Sequence, residues 1–452
     1  MFRFIDLHLS RWAKTKTPHR KPLLLRGARQ VGKTFAVRKL GATFKSYIEI
    51  NFEKQPQFKP IFEKDLDPKR LIRILAAELE QEIVPGKTLL FFDEIQEVPR
   101  ALLALRYFYE EMPEMHVLAA GSLLSLAIEE VGVPVGRVSF FYIYPMSFIE
   151  FLKALKREKI IEEIFRCHLK APMDNLLHEK TLELLSEYFV IGGMPAVIQA
   201  WIDQKDSNEC LNIHQSIIDT YRSDFPKYAK RIQVKYVETI FSNVPLQLGQ
   251  RFKFSQIPGE YRKRELVPAL ELLNNAHIVH SIYHSDGQGL PLRAQINLDK
   301  FKTILLDVGL AQAMLGGKVS DWLIEPKQTM VNKGAIVEAF IGQELLAYAD
   351  PFRDTNLYYW HRESKNSMAE VDYLFQVNDK VVPIEVKSNK GNTLKSINLF
   401  LDSHPKSNYG VRFSTHNFSQ HEKILSYPLY AIANFLKLAE IYPELILSNV
   451  QT

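Results

Sequence analysis

The sequence predicts an α/β chain whose N-terminal part is a parallel sheet carrying a phosphate-binding loop. Three observations predict it. Leu23-Leu24-Leu25 is an apolar run that leads into Gly27-Ala28-Arg29-Gln30-Val31-Gly32-Lys33-Thr34, which fits G-x-x-x-x-G-K-[ST]. Leu89-Leu90-Phe91-Phe92 is a second apolar run, closed by Asp93-Glu94. Between and after these runs the apolar spacing changes to the helical period, as in strand–helix alternation.

Each part of the first motif has a physical reason. Glycine lets the backbone turn so that successive N–H groups converge on phosphate oxygens, and the following helix offers its positive end to the anion. Lys33 has the reach for the β- and γ-phosphates, and the Thr34 hydroxyl suits Mg²⁺. Gly27, Arg29, Gln30, Val31, Gly32, Lys33, Thr34 and Phe35 are the nucleotide-binding candidates. The second run reads as a central strand buried on both faces, with two carboxylates at its C-terminal end, where ligands of open α/β sheets sit. Asp93 is a candidate Mg²⁺ ligand together with Thr34, and Glu94 a candidate base for a water attacking the γ-phosphate.

In chain order, residues 3–14 predict a short helix with Phe4, Leu7 and Trp12 turned inward. Helices follow at 34–40 and 69–82, a strand at 47–52, and a helix at 100–110. Val117 to Ser122 reads as another buried strand. Ser122 either senses the γ-phosphate or caps a helix over 123–128. Arg137 is a candidate for stabilising transition-state charge, in cis or from a neighbouring subunit. Arg29 and Arg106 are weaker candidates for that role.

The ordered set Gly-Ala-Arg-Gln-Val-Gly-Lys-Thr, Phe-Phe-Asp-Glu-Ile-Gln, Ala-Gly-Ser-Leu-Leu and Gly-Arg-Val with Tyr-Pro-Met-Ser-Phe-Ile-Glu-Phe resembles prokaryotic AAA-type ATPases. The resemblance covers roughly the first third of the chain. It implies the additional-strand sheet, ATP rather than GTP, and Mg²⁺; many members of the class form rings, so a homo-oligomer is compatible.

Residues 148–169, 179–190 and 209–230 predict helices, with a sharp Gly192-Gly193-Met194-Pro195 turn. Helices at 236–248 and 264–276, then β-like runs at 278–284 and 293–297 around Asp286-Gly287, follow a winged-helix order. Lys253, Arg262, Lys263 and Arg264 are the basic residues there; connector and DNA-contact roles are both open. Farther on, a helix at 333–347 with Glu338, strands at 357–361, 370–375 and 381–387, a helix at 395–401 and a strand at 409–413 resemble the PD-(D/E)XK nuclease superfamily. Its motif stands as Asp372 and Glu385-Val386-Lys387. Glu385 and Lys387 share a strand face. Asp372, Glu385 and Glu338 are the candidate Mg²⁺ ligands, and Lys387 the candidate stabiliser of developing charge. His361, Arg362 and Ser388 are lesser candidates, and 414–452 reads as a helical tail. The domain expectation is 1–165, 166–232, 233–300 and 301–452.

Bulk properties narrow the class. The chain has 452 residues, 46% hydrophobic and 24% charged, as in ordinary globular proteins. Lys plus Arg number 57 against 52 acids, a formal charge of +5 that permits DNA binding without demanding it. Cys167 and Cys210 lack metal-type spacing. No membrane-length apolar run and no signal-peptide pattern is present, and a cytoplasmic location is the expectation. The functional expectation is an ATPase coupled to a nuclease-like domain acting on DNA. The alternative is an ATP-switched signalling or scaffold protein with an inert nuclease-like domain. A metabolic kinase is poorly supported, because no acceptor site can be read.

Overall fold

The computed structural model describes residues 1–121, 136–228, 233–317, 319–364, 367–387 and 394–443, together with Leu124, Ile128, Val131, Gly132 and Pro134. The strands are β1 (Leu23–Arg26), β2 (Ser46–Asn51), β3 (Thr88–Asp93), β4 (His116–Ala120), β5 (Ser139–Tyr142), β6 (Val279–Ser285), β7 (Ile296–Leu305), β8 (Leu357–Ser364), β9 (Ser367–Val377), β10 (Lys380–Lys387), β11 (Gly410–Ser414), β12 (Ser419–His421) and β13 (Ile424–Pro428).

The first sheet is parallel throughout, in the order β2-β3-β4-β1-β5. β4 stands between the phosphate-loop strand and the acid-bearing strand. The apolar runs explain its two-sided burial. Leu23 and Leu25 join one core with Leu89, Phe91 and Leu118. Leu24 joins the opposite core with Leu90, Phe92 and Val117, under the helices Pro68–Leu79 and Pro99–Glu111. Alternate side chains of one strand therefore need a helical layer on each face.

The first core does not stop at the first sheet. It runs through the helices Asn175–Ile191 and Gly334–Ala347 into the second sheet. Gly334–Ala347 is buried on nearly every side; its mixed periodicity fits a helix packed between layers rather than at a surface. Among the described residues no single helix is long and apolar enough to cross a membrane.

Several sequence expectations change here. The span 148–169 is two helices, Phe148–Ala154 and Glu158–Arg166, separated at Lys156, whose φ of 56° is left-handed. The run at 293–297 is mostly a 3₁₀ turn, Leu292–Gln295, and the long strand β7 starts after it. β7 crosses the expected boundary at residue 300. The β6–β7 hairpin is not the wing of a separate module: β6 pairs with β8, so the hairpin forms one edge of an eight-stranded sheet, β12-β13-β11-β10-β9-β8-β6-β7. The expected helical tail holds β12 and β13, with Ile424 buried and β13 parallel to β11, before the short helices Ile432–Phe435 and Leu438–Ile441.

Buried carboxyls join the layers. The Phe148 N–H donates to Glu344 Oε1 at 2.9 Å, so a residue of Gly334–Ala347 caps the helix Phe148–Ala154. Asp307 accepts from the Gly193 and Leu310 N–H groups at 2.5 and 3.0 Å, fixing the Gly192-Gly193 turn. Burial pushes Glu344 up to about 8 and Asp307 to about 6. A carboxyl raised in this way keeps its proton in the folded state after the unfolded chain has lost it, so its contribution falls as pH rises from the unfolded value to the folded one. Burial lowers His8, His116, His214 and His280 to about 4 and His277 to about 3. Their effect has the opposite slope and fades as pH rises through 6.5, where the unfolded imidazoles lose their protons, and it is the same with or without Glu344. Between pH 6.5 and 8 the Glu344 slope is therefore open to measurement. Urea unfolding at these two pH values should show wild type losing about 2 kcal/mol more than Glu344→Gln. Equal losses would mean that Glu344 is ionised in the fold.

Candidate active site

The phosphate loop joins β1 to the helix Lys33–Gly41. Gly27 has φ 145°, and a Cβ there would lie 2.2 Å from the Ile143 carbonyl oxygen. Gly32 has φ 96° as the residue before the helix, also left-handed. Both positions thus require glycine for conformation, and Gly27 for space as well. Lys33 is buried, and its Nζ donates to the Gly27 and Ala28 carbonyls, both at 2.8 Å. Burial draws its ammonium down to about 8, against the pull of Glu94 and Asp93. Gln30 holds a left-handed φ of 66° at the loop's exposed tip. Phe35 is 58% exposed on the first turn of the helix, an apolar surface beside the loop.

Across the loop, Thr34 Oγ1 donates to Asp93 Oδ2 at 3.1 Å, and Asn51 Nδ2 donates to the same oxygen at 3.2 Å. Burial, then the neighbouring Glu94, raises the Asp93 carboxyl. Glu94 turns off the end of β3 with φ 50°, a conformation that costs a non-glycine residue about 1–3 kcal/mol. Its carboxylate accepts Gln96 Nε2 at 2.6 Å. The donor set fits a magnesium nucleotide: a glycine cradle, a buried ammonium, and a hydroxyl and carboxylate that converge on one point.

Neighbouring elements hold this loop through residues that motif reading did not select. Arg3 donates to the Val31 carbonyl at 2.9 Å, the Tyr144 carbonyl at 2.7 Å and Glu150 at 3.1 Å. Arg29 is held by another element. It pairs with Asp224 at 2.6–2.7 Å and lies 3.6 Å from Glu53, and Tyr221 donates to its carbonyl at 2.8 Å. Asp224 and Tyr221 belong to the helix Ser207–Tyr228. Arg137 is a correction to the cis reading. It sits before β5, at the opposite end of the sheet from the loop, and pairs with Glu110 at 3.0 Å. Arg106 shares Glu110. Ser122 lies outside the described residues.

The C-terminal constellation is also assembled, but differently from the sequence expectation. One step beyond the Ile384–Tyr373 pair, Glu385 and Asp372 stand on adjacent antiparallel strands. Lys387 Nζ is 2.6 Å from Glu385 Oε1, and the Val386 N–H donates to Asp372 Oδ2 at 2.7 Å. Glu338 faces Lys302, whose Nζ lies 2.9 Å from Glu338 Oε1, contacts Glu370, and is 3.8 Å from Asp372 Oδ1. Burial raises Glu338, Asp372 and Glu385, and for Glu385 the nearby Asp372 adds to it. Burial alone would lower Lys302, but Glu338, Asp372 and Glu370 carry it well above its ordinary value. Among the described residues no three acidic, histidine or cysteine side chains are arranged to hold a metal ion. Glu338, Asp372 and Glu385, the expected Mg²⁺ ligands, come close together, with the Lys302 ammonium on Glu338, the Val386 N–H on Asp372 Oδ2 and Lys387 on Glu385 Oε1. His361 pairs loosely with Glu363 at 3.6 Å, and Ser388 lies outside the described residues.

Residues 19–152 match the family model described as an AAA domain. Residues 182–321 and 333–432 match two models, each described as a domain of unknown function (DUF8612 and DUF4143). Comparison with curated proteins finds no match. Among solved structures, the chain is similar to a Walker-type ATPase of Pyrococcus abyssi, with 16% identity and a TM-score of 0.44 over 70% of this chain and 95% of that one. It is also similar to PCH-2 of C. elegans (14% identity, TM-score 0.26, 48% of this chain and 67% of that one). A third similar structure is AMPPCP-bound DnaA from Aquifex aeolicus (11%, 0.25, 76% and 91%). The family match, the strand β4 between the loop strand and the acid strand, and the phosphate cradle agree on residues 19–152 as a P-loop domain similar to the AAA domain.

Proposed function

We propose that this chain is an Mg²⁺-dependent ATPase whose nucleotide state is transmitted to a PD-(D/E)XK-like C-terminal domain that acts as an effector without nuclease chemistry. This is the ATP-switched scaffold reading of the sequence. One observation carries it: a route of buried hydrogen bonds, joined by short stretches of backbone, from the phosphate loop to the far sheet. The Val31 carbonyl accepts from Arg3, and Arg3 holds Glu150. Glu150 accepts the Ser147 N–H at 2.8 Å, and the next N–H, of Phe148, donates to Glu344. Glu344 lies on the helix that also bears Glu338, and Glu338 meets Lys302.

In the ATPase step, Lys33 exchanges the Gly27 and Ala28 carbonyls for phosphate oxygens, and the loop N–H groups from Gly27 to Thr34 bind the same anion. Thr34 and Asp93 would hold Mg²⁺, which supplies charge neutralisation at the phosphates when bound. Gln96 orients the Glu94 carboxylate, which takes the proton of the attacking water. Movement of the loop is felt at Val31 by Arg3 and at Arg29 by Asp224, so both the N-terminal helix and Ser207–Tyr228 report the bound state.

Hydrogen exchange tests the coupling. ATP should change protection in Gly334–Ala347 in wild type, and Lys33→Ala should abolish that change. Asp224→Asn should reduce it at the Ser207–Tyr228 helix. ATP bound with no change of protection outside residues 19–152 would sink the proposal.

A further inference from the structure

We propose that Lys302 is the resident cation of the C-terminal acidic cluster, standing where a divalent ion would otherwise be held. The proposal rests on the reading of this domain as an effector without nuclease chemistry.

Placement is the first argument. The Lys302 side chain is 1% exposed, so its ammonium has no water to lean on. Its partners are Glu338 from the helix and Glu370 and Asp372 from β9, and the ring of Tyr359 lies 5.3 Å away. Three carboxylates from two elements thus surround one ammonium. A buried ammonium is retained only when paired in this way.

The remaining oxygens give the second argument. Mg²⁺ demands near-octahedral oxygen ligands at short range. Asp372 Oδ2 is committed to the Val386 N–H, and Glu385 Oε1 to Lys387. Glu385 Oε2 is buried without a protein partner. That oxygen suits a water molecule.

Topology gives the third. Lys302 lies on β7, in the hairpin that joins the edge of the nuclease-like sheet through β6 and β8. The main chain of Lys302 is further tied by a bridge to Arg251. The hairpin thus delivers a fixed positive charge to the acidic cluster, in place of a wing extended toward DNA.

Manganese binding tests this on the full chain carrying Asp93→Asn, which removes the carboxylate of the nucleotide-site metal. Without nucleotide, electron paramagnetic resonance should detect no tightly bound Mn²⁺ in this parent chain at sub-millimolar metal. Adding Lys302→Met should raise the stoichiometry to one Mn²⁺ per chain, and Glu338→Gln or Asp372→Asn, which remove carboxylates that Lys302 contacts, should abolish it again. A parent chain that binds one Mn²⁺, lost on Glu338→Gln, would overturn the proposal. So would a folded Lys302→Met chain that binds none. If Lys302→Met does not fold, the parent titration decides alone. The exchange experiment on Gly334–Ala347 is independent of this one, so failure of the coupling and failure of the lysine assignment are distinguishable.

Discussion

Glu94→Gln should retain ATP and slow its hydrolysis by about 10²–10⁴-fold, the range that a positioned general base contributes. The geometry makes this a clean substitution. Glutamine keeps the volume and an oxygen for Gln96 Nε2, which meets Glu94 at 2.6 Å, but it cannot take a proton from water. Asp93 keeps its bonds to Thr34 and Asn51, so the Mg²⁺ position is unchanged. Nucleotide affinity should stay within a few-fold of wild type while single-turnover hydrolysis collapses. The strained φ of 50° supports the assignment, because backbone strain of this kind tends to be held at functional sites. Gln96→Ala should give a smaller loss, since it removes only the orienting bond. Single-turnover hydrolysis by Glu94→Gln within about tenfold of wild type would remove Glu94 as the base.

Arg3→Met should be strongly destabilising, by about 3–5 kcal/mol. Arg3 and Glu150 are both buried, their side chains only 7% and 3% exposed. Removing the guanidinium leaves the Glu150 carboxylate without its cation and withdraws donors from the carbonyls of Val31 and Tyr144. Glu150 still accepts the Phe4 and Ser147 N–H groups at 2.6 and 2.8 Å, which limits the loss. The chemical-denaturation midpoint should fall, and ATP affinity with it, because Val31 is part of the phosphate loop. The double variant Arg3→Met/Glu150→Gln, which removes the charge and keeps an oxygen for the Phe4 or Ser147 N–H, should recover part of the stability and none of the link to Val31. A single variant within about 1 kcal/mol of wild type would show that Arg3 is a bystander.

Local chemistry was legible in the sequence. The glycine spacing of the phosphate loop, the apolar run before Asp93-Glu94 and the strand spacing of Glu385 and Lys387 are properties of a few adjacent residues. They survive wherever the segments are placed. Most helices and strands lie within a few residues of their expected positions for the same reason. The failures share a cause. The 148–169 span reads as continuous because its apolar period does not register one left-handed residue at Lys156. The β6–β7 hairpin reads as a wing because its sequence does not say which strand it will pair with, and here that strand is β8.

By itself the sequence determined that this chain folds an α/β phosphate-binding domain, with its loop, its acids and their order, because those depend on backbone turn chemistry and side-chain period. Tertiary structure alone decided which charges meet. It brought Arg3 to Val31 and Glu150, Asp224 to Arg29, Glu344 to the Phe148 N–H, and Lys302 to Glu338, Glu370 and Asp372. Each of these pairings closes a long loop, and no local pattern selects the partner. Selection comes from burial: a charge carried into a shared core is kept only where another element supplies its counter-charge.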